Sequence, residues 1–118
     1  MADAGLFIGW GDVARGREKE AVDLFNEIVA YYGRLQEDGE IESFEPVFLE
    51  PHGGDLTGFV LLRGDAEKLA ALRVSDEFTQ FSLRAGLVVD RFGVVGADLA
   101  ERLQRQMAFY VEQVAAIA

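Results

Sequence analysis

Two rhythms of apolar and polar residues run through this chain, and the changes between them outline its elements. From Ala21 onward the apolar residues are Ala21, Leu24, Phe25, Ile28, Val29, Tyr32 and Leu35, while Lys19, Asp23, Glu27 and Arg34 fall between them. A repeat of about 3.6 residues places the apolar set on one helical face. The spacing predicts a helix from just after Gly16 to about Asp38, with Gly39 supplying the permissive backbone at its end. Ahead of it, Leu6–Gly11 is a short uncharged run that reads as a strand. Beyond it, Ile41–Glu50 and Leu56–Gly64 read as two strands joined by the hairpin loop Pro51-His52-Gly53-Gly54-Asp55. The second of the pair is apolar on both faces, as in a strand at the middle of a sheet.

Asp65 opens a second helical region, with acids at the positive end of the helix dipole. A break at Val74-Ser75-Asp76-Glu77 makes Ser75 a cap for a continuation to Ala85, which Gly86 ends. Leu87–Val95 then reads as a fourth strand. Gly96-Ala97-Asp98 leads into a terminal helix to about Ala116, lined on one side by Leu99, Leu103, Met107, Tyr110, Val114 and Ile117.

The order β-α-β-β-α-β-α is the split βαβ pattern, an α+β ferredoxin-like arrangement: a four-stranded antiparallel sheet with helices on one face, followed here by a C-terminal helix. We expect a single domain over 1–118, with a core at 5–95 and the last helix at 97–116. The pattern puts the first and third strands at the centre. Glu42, Glu45, Pro46, Asp90 and Arg91 agree, because charges and proline suit edge strands.

Helices on one face leave the other to water, where polar residues should alternate with apolar ones. They do not. Phe7 stands opposite Leu6, Ile8 and Trp10; Val47 and Leu49 oppose Phe44 and Phe48; Phe59 and Leu61 oppose Val60 and Leu62. In the fourth strand as read, Leu87 and Val89 oppose Val88, Phe92 and Val94. Each large apolar side chain left exposed forgoes roughly 1.5–3 kcal/mol of burial. The terminal helix or a second copy of the sheet has to cover that face.

A split βαβ chain of this length, apolar on both sheet faces and ending in a helix, resembles the dimeric α/β-barrel superfamily. The run Asp76-Glu77-Phe78 … Gly86-Leu87-Val88-Val89-Asp90 adds to the likeness. The resemblance implies a homodimer packed through the sheet face. It also implies one of several roles: cofactor-independent monooxygenase, lactone isomerase, haem-handling enzyme, ligand sensor or a member without activity. A haem role would need a proximal histidine on a helix, whereas His52 falls on a loop.

Composition narrows the chemistry. The 118 residues include no cysteine, which removes disulfides, thiolate nucleophiles and sulfur-ligated metals. Eleven basic against twenty-one acidic residues give a net charge of −10, which repels nucleic acid and anionic membranes. No apolar run approaches the roughly 18 residues of a membrane span. Met1 to Gly5 carry no basic residue, and Leu6–Trp10 is too short for a signal core, so we expect a cytoplasmic protein.

Gly9-Trp10-Gly11-Asp12-Val13-Ala14 fits a dinucleotide fingerprint in form, yet the strands that follow make a hairpin instead of a parallel unit. Tight packing on a strand is the plainer reading of these glycines, and no cofactor is expected. His52, with Glu50 and Asp55 nearby, is a weak set of metal ligands in a flexible loop; an exposed hairpin histidine is the simpler account. Ser43, Ser75 and Ser82 lack any nucleophile context. The clustered acids Glu40, Glu42 and Glu45 read as solvated surface.

Aromatic residues are the richer signal. They suit a packed core, and equally a pocket between sheet and helices for a flat ligand. In the pocket reading, Trp10 and Tyr32 are aromatic walls and Arg91 the cation that orients an acidic or enolic group. The sequence thus supports a small-molecule binder or cofactor-independent enzyme of an aromatic or polyketide-like metabolite. Its rival is a structural or protein-interaction module with an acidic surface, its contact marked by Phe109 on the polar side of the last helix.

Overall fold

Four strands and four helices succeed one another as β1 (Ala4–Trp10), α1 (Glu18–Glu37), β2 (Ser43–Phe48), β3 (Gly58–Gly64), α2 (Ala66–Arg73), α3 (Asp76–Val88), β4 (Gly93–Asp98) and α4 (Ala100–Ile117). The computed structural model describes residues 2–118; Met1, which the single-domain expectation includes, lies outside them. The sheet is antiparallel throughout, in the order β2-β3-β1-β4. The two most apolar strands, β1 and β3, therefore take the centre, with Arg63 near the end of β3 their one charged residue.

Local signals set most boundaries. Gly16 and Gly39 bracket α1 with φ of 84° and 76°, a region that only glycine enters without strain. The Asp65 carboxylate accepts from the Lys68 N–H at 3.1 Å, and the Ser75 hydroxyl accepts from the Phe78 N–H at 3.4 Å, capping α2 and α3. Leu6, Ile8, Val60 and Leu62 project from the central strands onto Tyr31, Tyr32, Leu69, Leu72 and Phe78, and Leu62 is completely enclosed.

The fourth strand differs from its sequence reading. Helix α3 does not stop at Gly86 but continues to Val88, and β4 spans Gly93–Asp98 in place of Leu87–Val95. Phe78, Phe81, Ala85 and Val88 form one helical stripe, and Ala85 and Val88 close against Leu24 of α1. That burial outweighs the roughly 1 kcal/mol that a glycine costs inside a helix. A short apolar run is ambiguous between the two periods, and the tertiary contact decided it. Asp90 and Arg91 consequently lie in the α3–β4 connection and not on the edge strand. There the Asp90 carbonyl accepts from the Gly11 N–H, while Val13 and Val89 form an isolated bridge.

The register sorts the two faces of the sheet. Phe7, Val47, Phe59, Leu61, Val95 and Ala97 share the side away from α1, α2 and α3, where the Arg63–Glu45 ion pair (3.1 Å) is a polar interruption. Phe7 and Phe59 stack at its centre with centroids 5.0 Å apart. Phe48, read from the sequence on one face with Phe44, does project to the helical side, where it meets Trp10 and Phe25.

Helix α4 leaves this second face open. None of its residues is buried, and its main contact with the sheet is at β4, from which it departs after Ala100 at φ 49°. The radius of gyration is 16.2 Å, against about 13.5 Å for a compact chain of this length. An apolar stripe of Leu103, Met107, Tyr110, Val114 and Ile117 runs along α4 in the open.

Candidate functional site

Between the sheet and helices α1 and α3 lies a cavity of about 370 Å³. Ile8, Trp10 and Val60 form its sheet wall, with Phe48 at one end; Ala21, Val22, Leu24, Phe25, Ile28 and Tyr32 line it from α1. Phe78, Phe81, Ser82, Ala85 and Val88 line it from α3, followed by Val89 and Phe92. Glu18, Ser82, Tyr32 and Trp10 are the lining residues whose side chains carry a polar group, and no lysine or arginine contributes to the wall.

Its mouth is an aromatic trio. Trp10 meets Phe25 and Phe48 edge-on at 6.1 and 5.9 Å, and Phe25 and Phe48 lie 5.1 Å apart. Gly58 makes this possible: a Cβ there would come within 2.7 Å of the Trp10 ring and of the Val47 carbonyl, and within 3.0 Å of Phe48. Phe48 and Val22 are 66% and 60% exposed, so the opening presents apolar surface to water. The Glu18 carboxylate is already engaged by the Gly16 N–H at 3.1 Å.

Two ion pairs brace the outer side of the site. Arg84 of α3 donates to both carboxylate oxygens of Glu27 on α1 (3.3 and 2.7 Å), and Arg34 pairs with Glu77 at 3.3 Å. The Arg84 hydrogen bond holds the Glu27 carboxyl below its ordinary value of 4.5. A carboxylate depressed by folding adds stability above its unfolded pKa and loses it as pH falls through the folded one. Glu27→Gln should therefore lower the thermal midpoint slightly at neutral pH, with the gap closing as pH drops below 4.5. Melting curves across that range check it, and a gap that persists at the acid end contradicts it.

The residues singled out from sequence separate here. Trp10 and Tyr32 stand on the cavity wall, one at the mouth and one at the inner end of α1. Arg91 does not: it sits in the α3–β4 connection with φ 54°, and its guanidinium reaches outward to Asp55 at 3.2 Å. The longer α3 moved it off the strand.

The histidine loop is self-contained. His52 Nδ1 accepts from the Gly54 N–H (3.2 Å), so Nε2 is the nitrogen that donates to the Leu56 carbonyl (2.9 Å). Both ring nitrogens thus serve the hairpin, and Asp55 is turned to Arg91; among the described residues no group of three or more His, Asp or Glu side chains is placed to hold a metal. The fingerprint glycines pack the sheet, since a Cβ on Gly9 would meet the Phe7 ring at 2.7 Å.

Sequence reasoning overlooked Phe25 and Ser82 as wall residues. Phe25 shares the α1 stripe with Ala21, Ile28 and Tyr32, and Ser82 is the polar member of the Phe78–Phe81–Ala85 stripe. Those spacings were the available signal. Among the described residues no helix is long and apolar enough to cross a membrane.

No family model matches the chain, and no curated protein matches it. Solved structures do. A dimeric ferredoxin-like protein of unknown function from Bacteroides fragilis matches with a TM-score of 0.58 at 9% identity, over 81% of this chain and 96% of its own. Hydroxynitrile lyase from Passiflora edulis gives 0.62 at 15%, over 86% and 97%. SnoaB, a cofactor-independent oxygenase from Streptomyces nogalater, gives 0.54 at 14%, over 85% and 96%. At such identities the likeness is one of fold. The chain has an α+β ferredoxin-like fold.

Proposed function

We propose that this protein is a homodimeric small-molecule protein, a binder or cofactor-independent enzyme, whose ligand is an aromatic or polyketide-like metabolite held between the sheet and helices α1 and α3. The observation that carries the reading is the cavity itself: about 370 Å³ of aromatic-walled space, left open in a chain with ample apolar residues to fill it. Structural neighbours that include a cofactor-independent oxygenase and a dimeric protein support it at the level of fold. The second sheet face supports the dimer, since Phe7, Phe59 and Leu61 on it stay only partly buried and no residue of α4 is buried.

Trp10 is the sole tryptophan, so its fluorescence reports on the mouth. Titration with 2-acetylnaphthalene should quench it saturably. Ser82→Phe, which pushes a ring into the cavity from α3, should weaken binding at least about tenfold, roughly 1.4 kcal/mol. Absence of binding, or equal binding by the filled variant, contradicts the proposal.

A second reading, a protein-interaction module, draws on α4, where Met107, Phe109 and Tyr110 make an exposed apolar patch. It accounts for the stripe and leaves the cavity without a purpose.

A further inference from the structure

Tyr32 is only 4% exposed, and the causes acting on its phenol are burial and, secondarily, the neighbouring Tyr31, with no hydrogen bond offsetting them. Every fully enclosed side-chain nitrogen or oxygen among the described residues has a partner. An unpartnered Tyr32 hydroxyl therefore borders open space. The open space beside this ring is the cavity, of which Tyr32 is the last α1 residue on the wall. Long helical side chains lean toward their helix N-terminus, and the rest of the α1 wall, from Glu18 to Ile28, lies in that direction. A hydroxyl that borders an apolar-walled space has no protein acceptor there, and a ligand acceptor supplies the missing hydrogen bond.

We infer that the Tyr32 hydroxyl is the polar anchor of the site, donating a hydrogen bond to a neutral oxygen acceptor such as a ketone carbonyl on a flat ligand whose rings lie against Trp10, Phe25 and Phe81. This rests on the ligand reading of the cavity and sharpens it. Burial pushes the phenol above its ordinary value of 10, so it stays protonated and acts as a donor across the physiological range. No cation lines the wall and Glu18 is acidic, so a carboxylate ligand has nothing to pair with. The site selects uncharged acceptors.

Calorimetric titration of the full chain with three probes of one shape tests this: 2-acetylnaphthalene, 2-ethylnaphthalene and 2-naphthoate. The wild type should prefer the ketone over the hydrocarbon by about fivefold to tenfold, and bind the anion weakest. Tyr32→Phe keeps the ring and should bring ketone and hydrocarbon within about twofold by weakening the ketone alone, with a thermal midpoint equal to or above that of the wild type. If the wild type binds ketone and hydrocarbon equally, or Tyr32→Phe retains the preference, the anchor role is overturned while the cavity remains a ligand site. If no probe binds, the ligand reading falls and this inference falls with it.

Discussion

Phe59→Glu should turn a particle of twice the 13.0 kDa subunit mass into single subunits. Phe59 lies on β3, one of the two inner strands of the sheet, stacked on Phe7 of β1, the other. Leu61, Val47 and Val95 surround the pair on the same face. If two such faces meet, a carboxylate at this point loses its water and finds no cation. The nearest guanidinium on the face, that of Arg63, is already given to Glu45. An unpaired buried charge costs several kcal/mol, so the dissociation constant should rise at least about a thousandfold, roughly 4 kcal/mol. The same change at Val74, 77% exposed at the end of α2, should leave the assembly intact. Sedimentation equilibrium distinguishes the cases, with circular dichroism showing that the variant keeps its secondary structure. An unaltered mass for Phe59→Glu places the contact elsewhere.

The second large effect concerns the helical side. Leu62 is the completely enclosed side chain of the core, paired with Leu6 of β1 and clustered with Leu69 and Leu72 of α2. Leu62→Ala removes buried methyl groups and leaves a void that a backbone fixed by pairing on both sides cannot collapse. The expected loss is about 3 kcal/mol, or a midpoint lower by some 10 °C at equal protomer concentration. Phe25→Ala offers the contrast. Its ring already faces the cavity, so truncation enlarges existing space, and the loss should be less than half as great. Thermal melts of the two variants side by side check this. Equal losses would mean that the cavity wall packs as tightly as the core.

These two positions show why the sheet could be read from sequence. Apolar runs with little charge placed β1 and β3 at the centre, and side-chain direction followed from the strand's alternation of faces. Capping residues did the same for α2 and α3, because Asp65 and Ser75 act through their own backbone neighbourhood. The α3–β4 junction depended on something no local pattern holds: Ala85 and Val88 finding Leu24, fifty or more residues away. The candidate site divides along the same line. Trp10 and Tyr32 were legible as aromatics on the inward sides of a strand and a helix. Arg91 was misplaced with the junction. The anchor role of the Tyr32 hydroxyl depends on which polar atoms lack partners, and that needs coordinates.

Helices α1 and α3 pack through Leu24, Ala85 and Val88 and through Tyr31 and Phe81, and are joined on the outside by Arg84–Glu27 and Arg34–Glu77. Exposed pairs of this kind add little stability. Their value here is geometric, since they fix the spacing of the two helices that form the cavity walls. Helix α4 takes no part in that enclosure.

Mapping a bound probe onto the chain tests the central claim most directly. In a nitrogen–proton correlation spectrum, the single indole N–H signal of Trp10 and the backbone signals of Phe25, Tyr32, Ser82 and Phe92 should move together as 2-acetylnaphthalene is added, while those of Met107, Phe109 and Tyr110 stay in place. Shifts confined to the α4 patch, or a spectrum that does not change, would contradict the account.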